Sequence, residues 1–375
     1  MIPYGRQCIS EDDISAVCET LRSDFLTQGP RVIEFEKAIT EYCEVKHAVA
    51  VNSATSALHL SCLALGVGEG DIVWTSPISF VASANCALYC NATVDFVDVD
   101  AESGLMSVKA LSKKLATANT QGKLPKVLIP VHFSGQSCDM KAIWSLAKKY
   151  NIYVIEDACH ALGASYLEHK VGGCEYSDIS VFSFHPVKMI TTGEGGVALC
   201  NNSKYYEKIQ ALRSHGIYTN SQMLPWAYEQ QDLGYNYRMS DIAATLGLSQ
   251  LKRLESFLVK RRYIATRYNE KLNNFRIKPI VQSKQGLSSF HLYPVLLKDS
   301  IQRRGLYDYL HLNGIAAQVH YMPIYQQPYY KKMEFKPLPN SEYCYDRIIS
   351  IPIYCELGSE DFDFIIKTIN DFEGV

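Results

Sequence analysis

Lys188 has the side chain and the setting for covalent amine chemistry. It lies in residues 183–196, a stretch that follows an apolar run, contains a serine, a histidine and a proline, and ends in glycines. The amine of such a loop lysine can form a Schiff base with a carbonyl cofactor. An ordinary lysine is a solvated surface charge, however, and this stretch alone is compatible with both interpretations.

Residues 52–58 have the composition of an anion-binding turn. A short apolar run is followed by small polar residues, including Ser53, Ala54 and Thr55, and then by a helical pattern. Free backbone N–H groups and the helix dipole favour an anion at such a turn, and a phosphate is one option. An ordinary N-cap by Ser53 or Thr55 explains the same pattern, so both interpretations stay open.

Asp157 and His160 follow a strongly apolar run at residues 153–156. A carboxylate at that place is costly without a partner, and a pyridinium nitrogen would be a fitting one. His160 could donate a hydrogen bond to a phenolic oxygen. Taken alone, Asp157 could equally be a helix N-cap, and His160 could be a structural histidine.

Phe80 lies in residues 77–85 and could form a stacking wall for a planar cofactor. It could also be a core aromatic at the start of a helix. The four stretches together supply an amine, a phosphate-binding turn, an anion for a ring nitrogen and an aromatic wall. Pyridoxal 5′-phosphate (PLP) requires this set, and few other cofactors require all four, so we expect PLP as the cofactor.

Several stretches of the chain resemble the DegT/DnrJ/EryC1/StrS family of sugar-nucleotide aminotransferases. The resemblance is carried by residues 26–29, 52–55, 156–164, 183–196, 213–216, 234–239 and 319–323. It runs nearly end to end, and the motifs are specific in combination. It implies an α/β fold of the PLP-dependent transferase fold type I (aspartate aminotransferase-like). In that fold a large domain with a mainly parallel seven-stranded sheet is joined to a smaller α+β C-terminal domain.

The resemblance also implies roles for single residues in holding the cofactor. Lys188 would carry it as a Schiff base, and Asp157 would face the pyridine nitrogen. His160 would contact the phenolic oxygen, and Phe80 would stack on the ring. The groups that would hold the phosphate are the backbone of Ala54 and Thr55 and the hydroxyl of Ser183.

Further contacts implied by the resemblance involve a second subunit and the substrate. Asn236 would reach the cofactor phosphate of the neighbouring subunit, which implies a homodimer with shared active sites. The alternative is a turn asparagine after Gly234. The candidates for substrate binding are His185, Arg213, His320 and Tyr321. A structural role explains each of them equally well, although an arginine side chain suits bidentate contact with a phosphate.

Members of the family generally use L-glutamate as amino donor and a keto-sugar nucleotide as acceptor. Within the family, the chain is most similar to members that aminate carbon 4 of a UDP-linked 4-keto-6-deoxy-N-acetylhexosamine in pseudaminic acid biosynthesis. The alternative is an acceptor that is aminated at carbon 3 or linked to TDP or GDP. Some relatives carry histidine in place of the lysine and catalyse a dehydration. The presence of Lys188 argues against that variant, and Lys188 together with Asp157 argues against a non-catalytic sugar sensor.

A nucleotide-dependent oxidoreductase is a third alternative. Such enzymes have a G-x-G-x-x-G motif directly after the first strand of the sheet. The glycines at positions 66, 68 and 70 do not have that spacing, and they follow a helical pattern. The glycine pattern therefore disfavours this class.

Alternating short apolar runs and helical patterns must position these residues. The predicted strands are 48–51, 72–75, 93–97, 127–131, 153–156, 179–183 and 197–200. The predicted helices are 56–65, 80–89, 140–149 and 204–214. Such alternation indicates a mainly parallel sheet covered on both faces, and ligands of these sheets bind beyond the carboxyl ends of the strands.

The chain is predicted to form two domains. Residues 1–250 would form the large PLP-binding domain, and residues 251–375 the small C-terminal domain. A long helical run near residues 240–273 would connect them. The patterns at 290–297, 303–313 and 316–321 suggest the smaller α+β domain.

Composition restricts the class of protein further. The formal net charge of −2 over 375 residues gives no reason to expect a nucleic acid or a membrane surface as partner. No apolar stretch has transmembrane length and the start lacks a signal-peptide core, so a cytoplasmic location is expected. None of the 12 cysteines belongs to a C-x-x-C pair, which favours buried reduced thiols without a metal site.

Overall fold

A seven-stranded sheet between residues 47 and 200 is the frame on which the candidate residues are arranged. The computed structural model describes residues 1–218, 224 and 226–374. The strands within the described residues are β1 (His47–Val51), β2 (Ile72–Thr75), β3 (Thr93–Phe96), β4 (Val127–Ile129), β5 (Tyr153–Asp157), β6 (Ser165–Tyr166), β7 (His169–Lys170), β8 (Ile179–Ser183), β9 (Gly196–Cys200), β10 (Ile217–Tyr218), β11 (Glu229–Gln230), β12 (Ile277–Pro279), β13 (Tyr293–Leu297) and β14 (Ile348–Ile351).

The order of strands in the large sheet is β1-β9-β8-β5-β4-β2-β3. Strands β8, β5, β4, β2 and β3 are parallel, whereas β9 runs antiparallel to both of its neighbours. Strands β4, β5 and β8 are largely apolar and buried, as expected for strands that are covered on both faces. The predicted mainly parallel seven-stranded sheet is therefore confirmed.

Helices cover the large sheet and build the rest of the chain. Within the described residues they are α1 (Glu11–Leu21), α2 (Pro30–Cys43), α3 (Ala54–Ala64), α4 (Ala82–Tyr89), α5 (Val108–Gln121), α6 (Met140–Lys149), α7 (Ser203–Arg213), α8 (Asp241–Leu251), α9 (Leu254–Lys271), α10 (Gln302–Leu312), α11 (Pro328–Lys331), α12 (Pro339–Arg347) and α13 (Ser359–Asn370). All seven predicted strands and the four predicted helices before residue 240 are present, with ends that differ by no more than two residues. Helices α1, α2 and α5 were not predicted. The first of them buries only Asp13 and Thr20, although Ile14, Val17, Cys18 and Leu21 have helical spacing in its sequence.

The prediction of one long helix near residues 240–273 is wrong. Helix α8 ends at Leu251 and a separate helix, α9, begins at Leu254. Arg253 lies between them with φ −103° and ψ 0°, outside the helical range. Its guanidinium forms an ion pair with Asp13 and donates to the carbonyl of Cys8, so contacts with the N-terminal segment hold the turn. No glycine or proline marks this break in the sequence.

The C-terminal part contains a three-stranded antiparallel sheet with the order β12-β13-β14. Helices α9, α10 and α13 pack on its apolar residues. The first residues of the chain join this part, because Ile2 pairs with Ile315 and Tyr4 accepts a backbone hydrogen bond from Ile353. None of the described helices has both the length and the apolar character that a membrane span requires.

Candidate active site

A cavity of about 510 Å³ opens beyond the carboxyl ends of the central strands. This is the edge where ligands bind in sheets of this kind. Strand β5 ends at Asp157, strand β8 ends at Ser183, and helix α3 begins just after β1. Ten of the predicted site residues line the cavity, namely Ala54, Thr55, Phe80, Asp157, His160, Ser183, His185, Lys188, His320 and Tyr321.

Lys188 reaches the cavity from the turn between β8 and β9. Its backbone N–H donates to the carbonyl of His185 over 2.9 Å, which closes the turn. Burial lowers the pKa of the Lys188 ammonium, although the nearby Cys159 and Asp157 act in the opposite direction. A lower pKa increases the fraction of neutral amine, which is the nucleophilic form.

Asp157 ends strand β5 and is only 5% exposed. The hydroxyl of Ser83 donates to Oδ2 over 2.5 Å, and the backbone N–H of Cys159 donates to Oδ1 over 3.2 Å. Described lysine and arginine side chains form no ion pair with this carboxylate. A buried, fixed carboxylate that faces a cavity fits a protonated ring nitrogen, so the residue satisfies the requirement of PLP for such a partner.

The N-terminus of helix α3 forms another wall of the cavity. Ser53 is the N-cap, and its hydroxyl accepts from the backbone N–H of Ser56 over 3.1 Å. The cap leaves the N–H groups at Ala54 and Thr55 without an intrahelical partner, as in every first turn. A Cβ at Gly196 would lie 2.5 Å from the Ala54 nitrogen, so only glycine allows this close approach. The cap and an anion site are therefore compatible at the same turn.

Ser183 lies directly opposite Gly196 in the β8–β9 pair. This register brings the Ser183 hydroxyl to the cavity beside the first turn of α3. A hydroxyl and free N–H groups on adjoining walls are the donor set that a phosphate requires.

Phe80 is 60% exposed although it precedes a buried helix. This exposure excludes the interpretation as a core aromatic. Its ring lines the cavity and is available to a planar ligand.

Three neutral groups form the wall nearest the small sheet. His160 Nε2 lies 3.3 Å from the hydroxyl of Tyr321, and His320 Nδ1 lies 2.9 Å from the hydroxyl of Ser350. Burial, together with Lys188 and His320, moves the pKa of His160 well below its usual range. Burial and Lys188 lower the pKa of His320 to about 3. Both imidazoles are therefore uncharged near neutral pH.

Tyr4 and Ser83 also line the cavity and were not predicted. Tyr4 arrives with the N-terminal segment, and its ring centroid lies 5.4 Å from that of His320. Ser83 could have been predicted as a cavity residue, because it lies three residues after Phe80, on the first turn of the helix that follows this candidate residue. No local pattern marks Tyr4, because its position depends on pairing with residues more than 300 positions away.

Arg213 and Asn236 do not line the cavity of this chain. Arg213 Nη1 donates to Glu36 Oε1 over 2.6 Å and to the carbonyl of Ala50 over 2.9 Å. Arg213 thus forms a largely buried ion pair with Glu36, and its contact with the substrate stays a prediction. Asn236 is exposed, and its backbone pairs with that of Ser214.

Comparisons with known proteins agree with this geometry. The chain is 44% identical to the UDP-4-amino-4,6-dideoxy-N-acetyl-beta-L-altrosamine transaminase of Campylobacter jejuni (strain 81-176), covering 98% of this chain and 96% of the relative. Its fold matches that of Helicobacter pylori PseC, an aminotransferase involved in the biosynthesis of pseudoaminic acid, with a TM-score of 0.91, 35% identity and 98% coverage of each chain. The Streptococcus pneumoniae protein Spr1654, in its PMP-form, matches with a TM-score of 0.92 and 31% identity over 99% of this chain and 98% of its own.

These similarities confirm fold type I, the expected cofactor and the class of enzyme. Residues 7–370 match the model of one family of PLP-dependent sugar aminotransferases. The chain therefore belongs to the DegT/DnrJ/EryC1/StrS aminotransferase family.

Proposed function

We propose that this sugar aminotransferase transfers the amino group of L-glutamate to carbon 4 of a UDP-linked 4-keto-6-deoxy-N-acetylhexosamine, in a pathway of the pseudaminic acid type. The observation that carries the chemistry is the meeting of Lys188 and Asp157 in one cavity with the N-terminus of α3. The choice of acceptor is supported by the Campylobacter jejuni relative, whose name specifies a UDP-linked 4-amino-4,6-dideoxy sugar.

The residues around the cavity divide into groups that hold the cofactor at different edges. Lys188 would bind it covalently through Nζ, and Asp157 would pair with the pyridine nitrogen. Ala54, Thr55 and Ser183 would hold the phosphate at the first turn of α3. Phe80 would cover the ring, and His160 would donate to the phenolic oxygen. When bound, PLP supplies a carbonyl that links to amines and a ring that accepts electron density.

Lys188 has a second task in the proposed reaction. Its Nζ, when not bound to the cofactor, is a base within the cavity, and its lowered pKa favours the neutral form that accepts a proton. The Asp157 carboxylate would pair with the pyridine nitrogen of the cofactor and favour its protonated form. We therefore assign proton movement to Lys188 and electrostatic stabilisation to Asp157.

Four side chains are the proposed contacts to the sugar and its diphosphate. His185 is exposed and lines the cavity, whereas His320 and Tyr321 line it on the side of Ser350 in β14. We add Tyr4, whose phenol lines the same cavity. All four can offer hydrogen bonds to sugar hydroxyl and amide groups without a fixed charge.

A homodimer with shared active sites remains part of the proposal. Asn236 is exposed and lies beside the stacked rings of Tyr235 and Tyr237, whose centroids are 4.9 Å apart. A residue that reaches a second subunit must be exposed in the isolated chain, and Asn236 meets this condition. Mixing of Lys188→Ala and Asn236→Ala subunits tests it. Mixed dimers with one intact site should regain activity that neither variant has alone, and no recovery would contradict shared sites.

A panel of keto-sugar nucleotides tests the acceptor. The enzyme is incubated with L-glutamate and UDP-, TDP- or GDP-linked keto-sugars, and the position of the new amino group is determined by NMR. We expect the highest kcat/KM for the UDP-linked N-acetylated 4-keto sugar. A preference for a TDP- or GDP-linked sugar, or amination at carbon 3, would contradict the assignment while leaving the chemistry intact.

Borohydride reduction tests the chemistry independently of the sugar. We expect a pyridoxyl adduct on the peptide that contains Lys188, located by mass spectrometry. Lys188→Ala should abolish the adduct, whereas the same substitution at the exposed Lys260 on α9 should leave it unchanged. Absence of the adduct from the loaded wild-type enzyme would refute the role of Lys188.

A further inference from the structure

A second buried histidine, His291, packs directly against His160. The ring centroids are 4.5 Å apart and the planes are inclined by 49°. His291 does not line the cavity, so it stands behind His160 as seen from the cavity. Among the described residues, Nδ1 of each ring is buried and has no hydrogen-bond partner.

The segment that carries His291 also binds the backbone of the His160 loop. The hydroxyl of Ser289 donates to the carbonyl of His160 over 2.8 Å. The backbone N–H of Ser289 donates to the carbonyl of Gly135 over 2.9 Å. A Cβ at Gly135 would lie 2.5 Å from the Ser289 hydroxyl and 2.9 Å from the His291 nitrogen, so the two segments are in tight contact.

Arg261 on helix α9 holds this segment from the other side. Its side chain is 1% exposed, and Nη1 donates to the carbonyls of Phe290 and His291, each over 3.2 Å, and of Ile353 over 3.0 Å. Described carboxylates form no ion pair with it, and among the described residues the acceptors of Nη1 are backbone carbonyls, whereas Nε is buried without a partner. Moving the segment would leave the buried N–H donor of Arg261 without its acceptors. This cost fixes the position of the segment.

The charged and titratable groups around the two rings all favour neutral imidazoles. Lys188, His320 and Arg261 face His291, and Lys188 and His320 face His160. Burial, followed by these neighbours, lowers the pKa of both histidines well below the usual range. Two imidazoles in contact cannot both be charged at reasonable cost.

We propose that His291 is a positioning residue for His160. Contact between the rings, together with the Ser289 hydrogen bond, keeps His160 Nε2 directed at the Tyr321 hydroxyl and at the cavity. The neutral state of His160 follows from its burial, to which the packed ring of His291 contributes, and from the neighbouring Lys188 and His320. The inference rests on the role that the proposed function gives to His160, and it assigns a task to a residue that does not touch the cavity.

The test compares two substitutions of His291 in the full-length, cofactor-loaded enzyme. His291→Ala removes the ring contact, and His291→Phe restores it without the nitrogens. For His291→Ala we expect weaker PLP binding by about 10-fold, the loss typical of one hydrogen bond. We expect kcat of the glutamate half-reaction to fall by about 10- to 100-fold with little change in KM, as for a misplaced reacting group. His291→Phe should recover most of both losses.

The imidazole NMR signal of His160 gives a readout that does not depend on activity. It is assigned by its absence in His160→Asn. In the wild type it should not titrate between about pH 5 and pH 9, whereas in His291→Ala its midpoint should move up toward the ordinary value of about 6.5. Leu310→Ala, in the core of the small domain, serves as a control that lowers stability without touching His160.

The outcomes separate clearly. An unchanged His160 signal and unchanged kcat in a folded His291→Ala enzyme would overturn the proposal, as would equal losses in Leu310→Ala. If His291→Ala does not fold, His291→Asn, which also removes the ring contact, is measured in the same way. Failure of the sugar panel would leave the NMR and PLP-binding results valid, so failure of the proposed acceptor and failure of this inference are distinguishable.

Discussion

The hydroxyl of Ser83 donates to Oδ2 of Asp157 over 2.5 Å, across 74 positions of sequence. Ser83 lies in the first turn of α4, just after Phe80, and Asp157 ends strand β5. One hydrogen bond thus ties the segment that carries the aromatic wall to the carboxylate that would face the ring nitrogen. The carboxylate is held in place by this bond and by the backbone N–H of Cys159.

Ser83→Ala should weaken the binding of PLP without preventing its covalent attachment. The carboxylate of Asp157 loses one of its two hydrogen bonds, and a hydrogen bond to a charged group contributes about 1.5 to 3 kcal/mol. We therefore expect the Kd for PLP, measured by fluorescence titration, to rise by about 10- to 100-fold. Ser145→Ala on the exposed face of α6 is the control, and equal affinities in the two variants would contradict the argument.

The pH dependence of PLP capture should report the environment of Lys188. Burial lowers the pKa of its ammonium, so the neutral amine appears at lower pH than for a surface lysine. The rate of covalent capture by the cofactor-free chain should rise with pH, with a half-maximum below the ordinary value of about 10.4. Stopped-flow absorbance measures this rate across the pH range.

Asp157→Asn tests in the same experiment whether the Asp157 carboxylate raises or lowers the pKa of Lys188. The Asp157 carboxylate raises the pKa of Lys188 and partly offsets the effect of burial. Its removal should therefore move the half-maximum to still lower pH. A half-maximum that stays in place, or that moves upward, would show that Asp157 does not act on the amine as inferred.

The loops after the strands could be predicted from the sequence because parallel strands deliver their carboxyl ends to one edge. This argument brings Asp157 and Lys188 to the same edge from the sequence alone, whereas the role of Ser183 follows from the family resemblance. Tyr4 and His291 escaped prediction since their contacts with the site span more than 100 positions and carry no local pattern. Arg213 has the residue type that suits a phosphate, but its partner, Glu36, could not be identified from spacing.

Replacing Glu156 and replacing its neighbour Asp157 on strand β5 should have different effects on stability and on PLP binding. Glu156 accepts a hydrogen bond from His132 Nε2 over 2.7 Å, on the opposite face of the sheet from Asp157. Glu156→Ala leaves the buried His132 donor unsatisfied, so the free energy of unfolding should fall by about 1 to 3 kcal/mol. Urea denaturation measures this change. The Lys188 adduct and the Kd for PLP should be retained in the folded fraction.

Asp157→Ala provides the reverse pattern in the same pair of assays. It should lose PLP affinity and the glutamate half-reaction while changing the free energy of unfolding of the cofactor-free chain less than Glu156→Ala does. The two faces of one strand would then separate stability from chemistry. Similar effects of both substitutions on both measurements would contradict this division.

Arg213→Met should destabilise the chain and leave substrate recognition unchanged. The Arg213 and Glu36 side chains are each 13% exposed, and their ion pair joins α7 to α2 beside strand β1. Loss of one partner of a buried pair costs about 3 to 5 kcal/mol because the other charge stays behind. Adding Glu36→Gln to Arg213→Met should therefore recover part of the lost free energy of unfolding, as measured in a double-mutant cycle.

KM values decide between this structural role and the phosphate contact expected from the residue type. For folded Arg213→Met we expect the KM for the sugar nucleotide to stay within about twofold, since no contact with the substrate is removed. His185→Ala, in the lining of the cavity, should raise that KM and leave the free energy of unfolding unchanged. A large rise in KM for Arg213→Met, without recovery in the double variant, would instead return Arg213 to the substrate site.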